Sequence, residues 1–244
     1  MSGNKIPKIL HFCWFGKGEK SELMNRCISS WRRELSDYKI IEWNEKNFNI
    51  HMNKYVEEAY YHGKYAFVSD FVRLYALYEY GGVYLDTDVE VIKNFDELLC
   101  NDGFCGFEDK ELVSTAIIGA KKGNALISKW LDTYEGRKFI EKGKENTETN
   151  VRVFTNLLLN EGMKQNNKKQ SIEDKFTIYP IEYFSPLKLM HKKPKLTSNT
   201  MSIHWFEGTW LDWNKKIKIL IIVLFKDIFG FRLYNFLIKK IKNK

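Results

Sequence analysis

Apolar positions along the chain switch between two periods, and the switches mark its elements. Residues 8–15 (Lys-Ile-Leu-His-Phe-Cys-Trp-Phe) form an almost continuous apolar run that predicts a buried strand. Residues 21–34 carry a helical period, with Ser21 placed as N-cap. Residues 38–43 predict a second strand. Strand, helix and strand within so short a stretch predict a βαβ unit and therefore parallel pairing. Residues 65–80 are apolar or aromatic all round, which predicts a buried helix. Its clearly polar members are Ser69, Asp70, Arg73 and Glu79, and Gly81-Gly82 ends it as a C-cap glycine would. Residues 83–91 alternate. Val83, Leu85, Thr87, Val89 and Val91 share one face of a single predicted strand, and Tyr84, Asp86, Asp88 and Glu90 share the other.

Further strands are expected near 103–107, 115–119, 176–179 and 201–205, and helices near 125–134 and 151–160. Residues 137–149 and 162–174 are polar and are expected to be mobile loops. There is no internal repeat. The fold class expected is α/β, a central mixed sheet flanked by helices.

Charge divides the chain in two. The net charge is +8. Residues 215–244 hold nine basic side chains and one acid, so they carry the whole excess, and residues 1–214 are formally neutral. The boundary expected is therefore a folded α/β domain over 1–214 and a basic amphipathic helical tail over 215–244. In the tail, apolar runs alternate with lysines, which fits an interfacial segment on anionic lipid or a helical pair packed on the body. The bases are not interleaved with stacking aromatics, so a nucleic-acid partner is not expected. No run reaches about 18 apolar residues, so no membrane span is expected. The N-terminus lacks a long apolar stretch, so no signal peptide is expected. Cys13, Cys27, Cys100 and Cys105 form no CxxC pair, which fits reduced thiols in a cytoplasm.

Chemistry concentrates at Asp86-Thr87-Asp88. Two carboxylates at i and i+2 of an extended segment project the same way and offer hard oxygen ligands to Mn²⁺ or Mg²⁺. The spacing alone also describes a solvated strand face. What raises it is the setting, because a buried helix, a Gly-Gly break and a short apolar strand place the pair at a strand end, where open α/β sheets bind ligands. Asp70 and Arg73, at i and i+3, make either a structural ion pair or a contact to a diphosphate and to sugar hydroxyls. Trp14 is either core or a flat face for a nucleotide base. His204 is either a satisfied histidine or a third metal ligand, with Glu207 as a substitute.

These blocks together resemble the bacterial members of glycosyltransferase family 32, of the capsular and exopolysaccharide type. The resemblance rests on Ile6 through Gly16, on Ile40-Ile41-Glu42-Trp43-Asn44, on Tyr65 through Leu74 and on Leu77 through Asp88. At greater distance the chain is similar to the glucosylating domains of large clostridial toxins. The resemblance implies a GT-A fold, a nucleotide-sugar donor with UDP favoured, a divalent cation (Mn²⁺ or Mg²⁺) and retention at the anomeric carbon. It implies that Phe12, Cys13 and Trp14 border the nucleotide, that Ser69 and Arg73 contact it and its phosphates, and that Asp70 holds the donor sugar. Tyr84, Asp86 and Thr87 would border ribose, sugar or diphosphate. Asp86, Asp88 and His204 would hold the cation, with Asp70, Arg73, Asp86 and Asp88 as the catalytic set. Thr209 and Trp210 would close the site. The implied acceptor is a polysaccharide or lipid-linked glycan at the inner face of the cell membrane. A toxin-like protein glycosyltransferase, or a non-catalytic membrane-peripheral protein of the same fold, stands as the alternative.

Overall fold

The computed structural model describes residues 5–172, 176–187 and 193–208. The predicted tail, Thr209 and Trp210 lie outside the described residues. The chain opens with strand β1 (Ile9–Cys13), helix α1 (Glu22–Glu34) and strand β2 (Lys39–Trp43). Helices α2 (Lys54–Tyr61) and α3 (Tyr65–Tyr80) follow, then strands β3 (Gly82–Leu85), β4 (Val89–Val91), β5 (Gly103–Gly106) and β6 (Ile117–Ala120). Next come α4 (Ala125–Asp132), a hairpin of β7 (Ile140–Glu141) and β8 (Lys144–Glu145), and α5 (Asn150–Asn160). The last elements are β9 (Gln170–Ile172), β10 (Phe176–Tyr179), α6 (Ile181–Phe184) and β11 (Ser202–His204).

Seven strands form the central sheet in the order β2-β1-β3-β6-β5-β10-β9. The βαβ unit gives the expected parallel pair, with Leu10 opposite Ile40. The sheet as a whole is mixed, because β6 runs antiparallel to both β3 and β5, and β9 to β10. So β1, β3, β5 and β10 all point the same way, and their carboxyl ends share one edge.

Each face of the sheet carries a core. On one face α2, α3, α4 and α5 pack Val68, Leu74, Ile127 and Phe154 against Tyr84, Cys105 and Ile118. On the other, α1 and α6 pack Trp31 and Phe184 against Leu10, Phe12, Val83 and Leu85. Ser21 caps α1 as predicted, accepting from the Met24 backbone N–H at 3.2 Å. The Trp31 indole N–H then donates to the Val89 carbonyl at 2.7 Å, and the Ser30 hydroxyl accepts from the Val91 N–H at 2.9 Å. These bonds fix β4 beside α1, where β11 pairs with it antiparallel.

Three expectations change and one helix is new. Residues 162–174, expected as a loop, include strand β9. The predicted strand over 83–91 is two strands, interrupted by a turn at Asp86-Thr87-Asp88 in which the Val89 N–H donates to the Asp86 carbonyl at 3.0 Å. Residues 137–149 build the β7–β8 hairpin instead of an irregular loop, and its Lys142-Gly143 corner has φ of 51° and 74°, as a tight primed turn requires. Helix α2, capped by the Asn53 side chain on Tyr55 and Val56, had no sequence prediction at all. Its eight residues are too few for a periodic signal.

The Gly81-Gly82 step is sterically fixed. Gly82 has φ of 119°, and a Cβ there would lie 2.4 Å from the Ile9 carbonyl oxygen and 3.1 Å from the His11 ring. His11 is fully buried beneath this step. Its Nε2 lies 2.8 Å from the Gly81 carbonyl oxygen, and the Trp43 indole N–H donates to its Nδ1 at 3.1 Å. That pairing fits only a neutral ring with the proton on Nε2. Burial pushes the His11 pKa down to about 4, from 6.5.

Between those two values the unfolded chain binds a proton that the folded chain refuses. Stability contributed by neutral His11 is therefore complete above pH 6.5 and is lost as pH falls toward 4, with a full loss of about 3 kcal/mol. Urea unfolding at pH 7 and pH 4 should show this fall in the wild type. The His11→Gln variant should show a fall smaller by about that amount; equal falls in both proteins would refute the assignment.

Candidate active site

The carboxyl end of β3 gathers the site, and Arg73 is its centre. Arg73 projects from the middle of α3 under the sheet edge and is 4% exposed. Its guanidinium donates to the Thr115 carbonyl at 2.7 Å, to Asp70 Oδ1 at 2.8 Å and, through Nε, to the Ser69 carbonyl at 3.3 Å. Asp86 Oδ1 lies 3.4 Å away, and the guanidinium lies over the Tyr84 ring at 4.6 Å. The Tyr84 hydroxyl donates to the same Asp86 oxygen at 2.9 Å. Arg73 thus ties the buried helix to the turn that carries the two acids. Burial works against its charge, and Asp86, Tyr84 and Asp70 more than offset that. For Asp70 burial dominates: it pushes the carboxyl up to about 6, against the pull of Arg73. The Asn150 side-chain amide donates to the Asp70 carbonyl at 3.2 Å and accepts from the Tyr134 hydroxyl at 3.1 Å, which fixes that turn of α3 from behind.

The second half of the site comes from β11. Its pairing with β4 sets His204 opposite Val89 and so beside Asp88. His204 Nε2 is 3.5 Å from Asp88 Oδ1. Beyond the strand the chain folds back over Asp88. The Trp205 N–H donates to the Asp88 carbonyl at 3.0 Å, and the Glu207 N–H to Asp88 Oδ2 at 2.9 Å. Phe206 makes that reversal with φ of 54°, a strained value for an aromatic residue, and its ring lies 4.0 Å from that of His204. Burial opposes the His204 charge, but Asp88, Glu108 and Asp86 outweigh it and hold the ring up at about 9. Burial likewise works to raise Asp88, and His204 with the Glu207 N–H holds it below the usual carboxylate range.

Asp86, Asp88 and His204 offer one ligand atom each, all within 4.8 Å of one another. Two carboxylate oxygens and an imidazole nitrogen suit a first-row divalent cation such as Mn²⁺. The His204 Nδ1 is buried without a hydrogen-bond partner, and Nε2 is the ring nitrogen that faces Asp88. The convergence does not come from strand alternation as the sequence suggested. It comes from the turn, which folds Asp88 under β11 while Arg73 and Tyr84 hold Asp86.

The remaining predicted residues are placed as follows. The Cys13 thiol ends β1 beside Ser69 and Tyr84, and burial pushes it up to about 12. The Ser69 hydroxyl donates to the Tyr65 carbonyl at 3.0 Å and is partly exposed. Trp14 lies one residue past β1, half-buried, with its indole N–H on the Gly18 carbonyl at 2.7 Å and the Lys20 ammonium 5.1 Å from its ring. Thr87 sits in the turn, partly exposed. The Phe12 ring is turned away from the site, edge-on to Trp31 at 5.3 Å in the opposite core. The sequence reading missed three contributors: Glu108, Asn150 and the carbonyl of Thr115. A carboxylate just past a predicted strand over 103–107 was the available signal for Glu108; the other two act through contacts that no local pattern encodes.

Comparison with known proteins points to one chemistry. Residues 21–105 match the family model of the glycosyltransferase sugar-binding region containing the DXD motif. That segment holds Ser69, Asp70, Arg73, Tyr84, Asp86 and Asp88, and makes up about a third of the chain. Inositol phosphoceramide mannosyltransferase 3 of Schizosaccharomyces pombe is 25% identical over 133 residues, covering 50% of this chain and 35% of that protein. Inositol phosphoceramide mannosyltransferase 1 of the same yeast is 32% identical over 110 residues, covering 41% and 33%. The chain thus spans about a third of the length of these relatives. Among solved structures, the PaToxG glycosyltransferase superposes with a TM-score of 0.48 at 20% identity, covering 64% of this chain and 69% of that one.

The Arg73 cluster makes a stability prediction. In Arg73→Met the side chain keeps much of its volume, but Asp70 and Asp86 lose their shared cation. Unfolding free energy should drop by about 3–5 kcal/mol in a urea titration. Adding Asp70→Asn should recover part of that loss, because one of the two stranded charges is then gone. A drop below about 1 kcal/mol would mean that the guanidinium is not what holds the turn.

Proposed function

We propose that this protein is a metal-dependent retaining glycosyltransferase of the GT-A type. It moves a hexose from a nucleoside diphosphate donor to a hydroxyl of a polysaccharide or lipid-linked glycan. The observation that carries this reading is the convergence of Asp86, Asp88 and His204 next to the Asp70–Arg73 pair, within a segment matching the sugar-binding region of DXD glycosyltransferases. The resemblance to the toxin domains favours UDP, and since the fungal relatives are named mannosyltransferases, GDP-mannose joins the donors to test.

Asp86, Asp88 and His204 would hold Mn²⁺ or Mg²⁺, which supplies positive charge to the leaving diphosphate. The rest is done by the chain. Trp14, at the end of β1, presents a ring face to the base. Arg73 keeps Asp86 aimed from below, since its own donors go to Ser69, Asp70 and Thr115. Asp70 is partly exposed and accepts from hydroxyls of the transferred sugar. Placing these groups before the donor arrives is the electrostatic preorganisation that this chemistry needs. The acceptor hydroxyl attacks the face from which the diphosphate leaves, and its proton passes to a departing phosphate oxygen. The basic tail of residues 215–244 brings the enzyme to anionic lipid at the inner face of the membrane, where a lipid-linked acceptor resides. No helix among the described residues is long and apolar enough to cross a membrane.

Two measurements test the reading. A panel of UDP-glucose, UDP-galactose, UDP-N-acetylglucosamine and GDP-mannose should yield one donor that Mn²⁺ causes the protein to hydrolyse slowly without acceptor. At 100 times its dissociation constant that donor should stabilise the protein by about 2.7 kcal/mol. Asp88→Ala should cut the hydrolysis by at least about 10²-fold. Hydrolysis that survives both chelation and Asp88→Ala would overturn the metal assignment, and no donor response at all would overturn the enzyme. For the tail, the full chain should sediment with vesicles containing phosphatidylserine at low salt and release as ionic strength rises. Salt-insensitive or absent sedimentation would remove the membrane from the proposal.

A further inference from the structure

The loop that carries Trp14 is tied down from outside itself. Residues 14–20 leave the carboxyl end of β1, which runs parallel to β3 and so opens on the edge that holds Asp86. Gly16 has φ of 88° and Lys17 has φ of 58°, two consecutive left-handed residues of which the second is not glycine. Such a backbone at a lysine is uncommon and persists where the surroundings over-determine it. Those surroundings are residues 42–48, the end of β2 and the segment after it. The Trp14 N–H donates to the Trp43 carbonyl at 2.8 Å. Phe15 is buried with its ring edge-on to Phe48 at 6.2 Å. The Gly16 N–H donates to Glu45 Oε1 at 2.7 Å, and the Lys20 ammonium pairs with Glu42 at 3.1 Å.

Of these ties, Glu45 acts at the bend itself. The oxygen that accepts from Gly16 also accepts from the Tyr60 hydroxyl at 3.1 Å, at the end of α2. Burial works to raise the Glu45 carboxyl, and the Gly16 N–H, its own N–H and Tyr60 hold it below the usual glutamate range. An ionised acceptor makes the stronger bond to a backbone N–H. The Tyr60 ring stands edge-on to Tyr65 at 5.6 Å, and Tyr65 packs so tightly on Gly16 that a Cβ there would meet its ring at 2.2 Å. Gly16 is therefore held between Glu45 and the first residue of α3, one turn before Ser69. The bend returns the chain to Trp14, whose indole N–H donates to the Gly18 carbonyl at 2.7 Å. Where Gly18 lies sets the orientation of the ring, and the Gly16–Lys17 bend sets where Gly18 lies. The Lys20 ammonium, held by Glu42, lies over the same ring at 5.1 Å.

We propose that Glu45 is a positioning residue for nucleotide binding: by fixing the bend at Gly16 it presents the Trp14 ring to the base of a nucleoside diphosphate. This rests on the glycosyltransferase reading, with Trp14 as its base-facing ring, and deepens it. Glu45 acts through the loop and touches neither the base nor the cation. Without its carboxylate, Lys17 relaxes out of the left-handed region, the Gly18 carbonyl leaves the indole, and the ring has to be ordered again when a base arrives, which costs affinity. Stacking of a base on an aromatic ring is worth about 10–100-fold in affinity, so a misplaced ring is readily measured.

The test uses the full chain, with calorimetric binding of UDP or GDP in the presence of Mn²⁺ and hydrolysis of the nucleotide sugar that the wild type accepts. Glu45→Ala and Glu45→Met both remove the acceptor, and the second keeps most of the volume. Each should weaken diphosphate binding by about 10-fold and raise KM for the nucleotide sugar in step, with kcat within about twofold of the wild type. An unchanged kcat also certifies that the variant folds. Glu45→Gln should bind within about threefold of the wild type, since its side-chain oxygen still accepts from the Gly16 N–H. Trp14→Ala should weaken binding at least as much as Glu45→Ala, and the double variant no further than Trp14→Ala alone. The proposal is overturned if both acceptor-free variants bind like the wild type, if their loss adds in full to that of Trp14→Ala, or if kcat falls in both while KM holds. Binding that Trp14→Ala leaves intact refutes the base-facing ring, and the Glu45 proposal with it, while the glycosyltransferase reading stands. A wild type that binds neither diphosphate with Mn²⁺ refutes that reading itself.

Discussion

One buried cation organises this molecule. Arg73 sits in an all-apolar stretch of α3, where a guanidinium is costly to desolvate unless its donors are satisfied. Two of its partners are backbone carbonyls from different elements, Ser69 of its own helix and Thr115 at the foot of β6. The other two are carboxylates, Asp70 and Asp86. The same group therefore closes the contact between helix and sheet and sets the position of the first acid of the turn. Packing and site geometry share one interaction, so neither can drift without the other. The Asp70–Arg73 pair is a structural ion pair, and it is also what places Asp86.

The turn itself follows from the glycine pair. α3 must end and reverse into the sheet within two residues, and only glycine accepts φ of 66° and then 119° with the Ile9 carbonyl so near. That reversal starts β3 deep in the sheet, beside β1, so its four residues run out at the carboxyl edge. At the edge the chain leaves the ladder. The Asp86 N–H makes one last bond, to the Ala116 carbonyl at 2.8 Å, and Asp88 swings toward β4 and β11. A longer β3 would have sent Asp86 and Asp88 out along one face, away from His204.

These steps also show what a sequence can express. The βαβ opening, the buried helix, the glycine break and the acids were legible because each is a local pattern of period, cap or spacing. The break between β3 and β4 was not, because Thr87 and Val89 continue the alternation of Val83 and Leu85 through a turn. Long-range pairing hid the rest. His204 reads as a lone histidine until β11 is laid against β4, 116 positions along the chain from Asp88. Asn150 and Thr115 reach α3 by contacts across the fold, and the Thr115 contribution is a backbone atom. Trp14 and Phe12 were read as one block bordering a ligand, yet the two lie on either side of the strand's end. The residue beyond the ladder is half-exposed, and the residue within it is committed to the core.

Charge balance gives these observations a common direction. Asp70, Asp86 and Asp88 converge on the carboxyl edge, Glu108 acts on Asp86 and His204 through space, and the cations beside these acids among the described residues are Arg73 and a protonated His204. Arg73 is already shared by two of the acids. The charge on His204 offsets part of the remainder, with Nε2 facing Asp88 at 3.5 Å. A divalent cation at that point would displace one proton and add two charges, which lowers the repulsion among the acids more than the proton does. The site is in this sense built one cation short. Its excess of carboxylates is a poor arrangement for a stable apolar crevice. It is a good one for holding a cation against a diphosphate while leaving acceptor oxygens over for the hydroxyls of a sugar.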